Sequence, residues 1–182
     1  MGDPKHQRKK YSTPAHPWQR ARMEIEKPLL KDFGLKNKRE LWKMNSLLSS
    51  FTRQAKRLIA EKTEQAALES RQLLKKLHGL GLVGETASLS EVLNLTIQDV
   101  LERRLQTRVF RKGYARSIDQ ARQFIIHKHI QLVDQRITAP SYLVHTAEEE
   151  KIAFVPYSSL ASPTHVERIA LVKKGKKHGA PR

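Results

Sequence analysis

Four clusters in the chain have residue types that could carry chemistry, and each fails on its surroundings. Gly79-Leu80-Gly81-Leu82-Val83-Gly84 spells G-x-G-x-x-G, with Glu102 downstream where a ribose partner is expected. A dinucleotide loop must follow a strand and open a helix, so that the helix N-terminus faces the pyrophosphate. Here the glycines follow a helical pattern and end it. His127 and His129 flank Lys128 and could share a metal, but no third or fourth ligand is evident nearby. His165-Val166-Glu167 matches the first part of a zinc-deaminase signature whose cysteine half cannot exist, because the chain has no cysteine. Glu148-Glu149-Glu150 reads as an acidic turn facing solvent. No catalytic residue, metal site or cofactor is expected, and no small-molecule substrate.

What remains is cationic chemistry. The 182 residues carry 35 Lys and Arg against 18 Asp and Glu, a net charge of +17. Such an excess calls for a polyanion, and nucleic acid is the usual one, since each neutralised phosphate releases a condensed counterion. No apolar stretch is long enough to span a membrane, and no signal-peptide core follows the basic start, so no membrane partner is expected. Residues 1–22 and 166–182 carry +5 each, 23–80 carry +6 and 96–140 carry +5, while 81–95 and 141–165 carry −2 each. Charge spread over two tails and two internal blocks suits a chain embedded in a large RNA.

The elements that must position these cations follow from periodicity. Residues 1–20 form a basic arm without apolar repeat, in which Lys9, Lys10 and Arg20 are candidate phosphate contacts and Trp18 a docking residue. A helix is expected over 21–33, interrupted by Pro28 and closed at Gly34. Leu41, Met44, Leu47, Leu48, Phe51, Ala55, Leu58 and Ile59 recur every three or four residues, the strongest amphipathic pattern in the chain. Lys43, Arg53, Lys56 and Arg57 fall off that stripe as a basic outer face. Thr63 caps a third helix that ends at Gly79 and Gly81.

An acidic connector over 81–95 completes a helical domain spanning 21–95. Thr96 with Asp99 opens a helix through Gln106, and Ser117 with Gln120 opens one through Ile126. Strands are expected at 130–133, 142–144 and 152–155, with turns at Asp134-Gln135 and Glu148 to Lys151. The fold class is therefore α+β: a helical N-terminal domain, a module of two short helices on a few antiparallel strands over 96–160, and a basic tail over 161–182.

Within that module Arg104-Leu105, Val109, Gly113, Arg116-Ser117, Ala121-Arg122, Ile125, His129-Ile130 and Pro140-Ser141-Tyr142 resemble the alpha-L RNA-binding motif. His16-Pro17-Trp18, the stretch from Gly34 to Glu40, that from Val92 to Thr96 and the basic tail extend the likeness over nearly the whole chain. It resembles the archaeal branch of the family of small-subunit ribosomal protein number four. The resemblance implies a structural constituent of the small ribosomal subunit. Such a protein binds small-subunit ribosomal RNA directly and early in assembly, beside neighbouring ribosomal proteins, in the cytoplasm. It places the RNA face on the two module helices and their connection, at Arg104, Arg108, Arg111, Arg116 and Arg122; Arg103, Lys112, Ser117, Lys128 and Arg136 are further candidates, with Lys173, Lys174, Lys176 and Lys177 of the tail. A ribosome-associated assembly or heat-shock factor, or the RNA-binding part of a modifying enzyme, are the alternatives.

Two departures from the family pattern stand out. Lys128 occupies a place where relatives often have glycine, and Asp134-Gln135 replaces an Asn-Gly turn, so a looser or different hairpin turn is expected. If the module arginines face RNA, Arg116→Gln and Arg122→Gln should weaken binding and leave stability nearly unchanged. Changes at Glu149 and Glu150 should do little.

Overall fold

A computed structural model describes residues 8–162 together with Gly2, Thr164, His165 and Glu167. Three helices, α1 (Arg20–Asp32), α2 (Lys38–Ala60) and α3 (Glu64–Gly79), form the N-terminal part. Asn37 caps α2 by accepting the Glu40 N–H at 3.3 Å, and Thr63 caps α3 through the Ala66 N–H at 3.1 Å. Pro28 does not end α1. It sits on the exposed side, and the missing N–H is tolerated because Glu26 and Leu29 on either side are buried against α2 and its surroundings.

The connector that reads as an acidic turn contains a one-turn helix, α4 (Leu89–Leu93). Its Val92 is fully buried with Phe51, Ala55, Leu58, Leu73 and Leu77 of α2 and α3. The acidic Glu91 is spent on capping, accepting the Ser88 N–H at 3.1 Å.

The helix opened by Thr96 and Asp99 is shorter than expected. It is α5 (Ile97–Glu102), followed after a break by α6 (Leu105–Arg111). The break has a cause: the backbone at Arg104 pairs with Leu143, with Leu105 N–H donating to Tyr142 O at 2.7 Å and Val144 N–H to Arg103 O at 2.9 Å. That single bridge is all the strand character that 142–144 retains. Val100 and Leu101 of α5 are buried with Leu29, Phe33, Leu35, Leu41 and Met44, so α5 belongs with the first helices rather than with the module.

The module proper packs α6 and α7 (Ile118–Ile126) on a three-stranded antiparallel sheet. Its strands β1 (Ile130–Leu132), β2 (Gln135–Arg136) and β3 (Ile152–Phe154) lie in the order β2-β1-β3. Leu105, Val109, Ala121, Ile125, Ile130, Val144 and Ile152 are its fully buried centre. Leu132 pairs with Gln135, so the β1–β2 loop is only Val133-Asp134, one residue earlier than the sequence suggests and still tight. Val133 takes φ +58 and Lys128 φ +63, the left-handed region in which glycine is at ease. The turn expected at Glu148 to Lys151 overlaps a short helix, α8 (Thr146–Glu149).

Candidate nucleic-acid interface

The junction of the two halves is built on one carboxylate. Glu40, in the first turn of α2, receives Arg104 Nη2 at 2.7 Å on one oxygen and Arg122 Nη2 at 2.6 Å on the other. Beside it Gln106 donates its amide to Gly34 O and Ile118 O, both at 3.0 Å. Gly34 is required there: a Cβ would stand 2.7 Å from both Gln106 Nε2 and Ile118 Cγ2, on a backbone at φ +54. Burial opposes the charge on Glu40, but hydrogen bonds and charge from Arg122 and Arg104 outweigh it and hold its carboxyl below the ordinary value. Burial in turn pushes the Arg104 guanidinium below its usual range.

A second carboxylate does the same work at the far side. Glu149 pairs with Arg103 at 3.0 Å and with Arg108, and its carbonyl accepts from Lys112. Glu148 accepts the Tyr142 hydroxyl at 3.0 Å. Glu148 and Glu149 of the acidic triplet are therefore structural, contrary to their reading as a solvent-facing turn, while Glu150 is exposed.

These contacts show what already engages the arginines expected on the RNA face. Arg104 is 0% exposed and Arg103 9%, so neither guanidinium can reach a phosphate without unmaking the core around it. Arg108 and Arg122 are largely buried and engaged in the same two clasps. Arg111 is exposed but forks onto Glu102 at 2.7 Å, and Arg116 meets Glu167 at 3.3 Å. Ser117 caps α7 through the Gln120 N–H at 3.1 Å. Lys128 and Arg136 are exposed, as are Lys9, Lys10 and Arg20 in the arm, the last paired with Glu24. Lys173, Lys174, Lys176 and Lys177 lie outside the described residues.

A regular row of cations, three of them without ion pairs among the described residues, lies along α2. Arg39, Lys43, Ser46, Ser50, Arg53 and Arg57 recur at alternating spacings of four and three residues, which places them on one stripe of the helix. No carboxylate lies on the stripe. Arg57, at its end, pairs with Glu69 and Glu61, whereas Arg39, Lys43 and Arg53 form no ion pair among the described residues. These three span roughly 21 Å at the helical rise of 1.5 Å per residue. Lys56, expected on this face, is exposed but lies about a quarter turn away. Lys43 also lines a cleft with Glu40, Arg122, Pro140 and Ser141, where the stripe meets the module. Sequence reading missed Arg39, Ser46 and Ser50, although their spacing was there to be counted.

The S4 domain family matches residues 103–150, which contain α6, α7, β1, β2 and α8. The small ribosomal subunit protein uS4 of Methanococcus maripaludis strain C5 is 47% identical over 175 residues, covering 96% of this chain and 98% of that protein. The chain belongs to the uS4 family. The uS4 protein of Nanoarchaeum equitans strain Kin4-M is 49% identical over 164 residues, 89% of this chain and 91% of that protein.

In this uS4 family member the S4 domain starts at Arg103, just after α5 ends and beside the Arg104–Leu143 bridge. The N-terminal arm is fastened to the helices. Ser12 N–H donates to Ser46 Oγ at 3.0 Å, Arg22 donates to the carbonyls of His16 and Pro17 at 3.1 and 2.8 Å, and the Tyr11 ring lies 6.2 Å from that of Trp42. Trp18 is left 87% exposed. His129 Nδ1 lies 2.8 Å from Ser158 Oγ, a corner hydrogen bond, and no metal-binding group occurs among the described residues.

Proposed function

We propose that this uS4 family member binds small-subunit ribosomal RNA directly, as a structural constituent that enters assembly early, and that it carries out no catalysis. The observation that carries the reading is the α2 stripe. It holds three cations without acidic partners, interleaved with serine hydroxyls, and leads through Lys43 to the edge of the S4 domain. Phosphate and ribose of structured RNA are recognised by such an array of charge and hydroxyl donors. The partly buried carboxylates of Glu40 and Glu149 are committed to arginine clasps, which supports a structural role over acid–base chemistry. The partners are the RNA and adjoining small-subunit proteins, and the place of action is the cytoplasmic ribosome.

The test is a salt titration of binding to small-subunit ribosomal RNA. Affinity should fall with a log–log slope steeper than about −2, each neutralised phosphate adding roughly 0.7–0.9. Changing Lys43 and Arg53 together to Gln should flatten the slope by about 1.5 while stability stays within about 0.5 kcal/mol. A shallow slope for the unmodified protein would sink the reading. Omission from a subunit reconstitution series tests early entry: leaving the protein out of the first step should block later additions. Its presence at one copy in mature subunits separates a constituent from a transient assembly factor.

A further inference from the structure

We infer that the cleft between the N-terminal arm and α2 is a subsite for one unpaired nucleotide of a bound RNA, an inference that rests on the RNA-binding reading above. The arm does not lie flat on the helix. The Ser12–Ser46 bond and the Arg22 clamp tie it to the helices, and a cleft of about 500 Å³ remains between arm and α2, within the size of small-ligand sites.

Its lining has the parts that a nucleotide needs. Tyr11 and Trp42 form an aromatic corner, with rings 6.2 Å apart and tilted by 35°. Trp42 is fixed in place, since its Nε1 donates to Glu26 at 3.2 Å. A tilted pair at this distance is open enough for a base to stack on the outer ring, that of Tyr11, which is only partly buried. Asn45 offers both an amide donor and an acceptor to a base edge, and Ser49 a hydroxyl to a ribose. Lys10 on the arm and Arg53 on the helix supply positive charge on both walls. The one carboxylate in the lining, Glu26, is neutralised by Arg22 at 3.0 Å and Lys38 at 3.2 Å, so it does not repel phosphate.

Position argues for a nucleotide still in its strand rather than a free one. Arg53 and Ser46 belong both to this lining and to the α2 stripe. A backbone following the stripe therefore passes the mouth of the cleft, and a base without a pairing partner can turn into it while its neighbours stay on the helix. Unpaired bases splayed onto aromatic side chains are a general mode of RNA recognition.

The experiment compares two RNA hairpins, one fully paired and one with a single bulged adenosine, binding to the full chain. The bulged hairpin should bind at least about fivefold more tightly, the lower end of what stacking one base contributes. Tyr11→Ala should abolish that preference while affinity for the paired hairpin stays within about twofold, and Tyr11→Phe should keep it. Unchanged thermal melting of the variants guards against a folding artefact. Equal binding of both hairpins, or a preference that survives Tyr11→Ala, overturns the subsite while the RNA-binding reading stands. No salt-sensitive binding to either hairpin overturns both.

Discussion

At the scale of single residues, the arginines divide by what already neutralises them. Arg104 buries a full positive charge, and among the described residues only Glu40 answers it. Two of its nitrogens, Nε and Nη1, have no hydrogen-bond partner among the described residues. Removing the carboxylate leaves that charge uncompensated, which for a buried pair costs about 3–5 kcal/mol. Glu40→Ala should therefore destabilise the protein by roughly 3 kcal/mol in denaturant titrations at neutral pH. The same contact fixes a pH dependence. Because the folded state holds the Glu40 carboxyl below its ordinary value of 4.5, its contribution is fully present above that value. The contribution is lost as pH falls through 4.5 and the lowered folded value, so the stability gap to Glu40→Ala should close in acid. A gap independent of pH would show that the pair is not what stabilises the junction. By the same logic Arg122→Gln and Glu149→Gln are stability variants, the reverse of what their sequence context suggests.

At the scale of elements, caps and periodicity were legible and long-range pairings were not. Asn37 aside, Thr63, Thr96 and Ser117 announce their helices locally, and the apolar repeat of α2 needs no tertiary information. The break at Arg103-Arg104 was invisible because it is imposed by Leu143, some forty residues away. The fate of Glu149 was equally hidden, since its partners Arg103 and Arg108 lie at the entry of α6 and on it. Basic charge on the module was read as RNA contact, and burial with an ion pair to Glu40 separates Arg104 from Lys43. The β1–β2 loop shows where a local rule bends. Val133, β-branched, is held at φ +58, a conformation costing an L-residue about 1–2 kcal/mol that glycine avoids. Glycine also gains freedom in the unfolded chain, offsetting about 0.5–1 kcal/mol. Val133→Gly should therefore raise stability by a net of roughly 0.5–1 kcal/mol. A loss of stability on equilibrium unfolding would mean that the half-exposed Val133 side chain contributes more than the strain costs.

At the scale of the whole molecule, the two halves are not independent beads. Leu143 of the S4 domain packs against both helical clusters, Thr146 donates to Gly79 O at 3.3 Å, and the Glu40 clasp joins α2 to α6 and α7. Neither half can open without exposing apolar surface and orphaning a buried charge. Scanning calorimetry should give one transition with calorimetric and van't Hoff enthalpies in agreement. Two resolved transitions would mean that the junction is weaker than its contacts imply.

The clasp also bears on how the chain is made. Glu40 is synthesised 64 residues before Arg104 and 82 before Arg122. At about 5–20 residues per second, the nascent helical half waits roughly 4 to 16 seconds for its second counterion. During that interval Gly34 and the face of α2 around Glu40 have nothing packed on them, and the carboxylate stays in water. The first helices can therefore form as they emerge, but they take their final seating only when α7 leaves the exit tunnel, so the last module made completes the first.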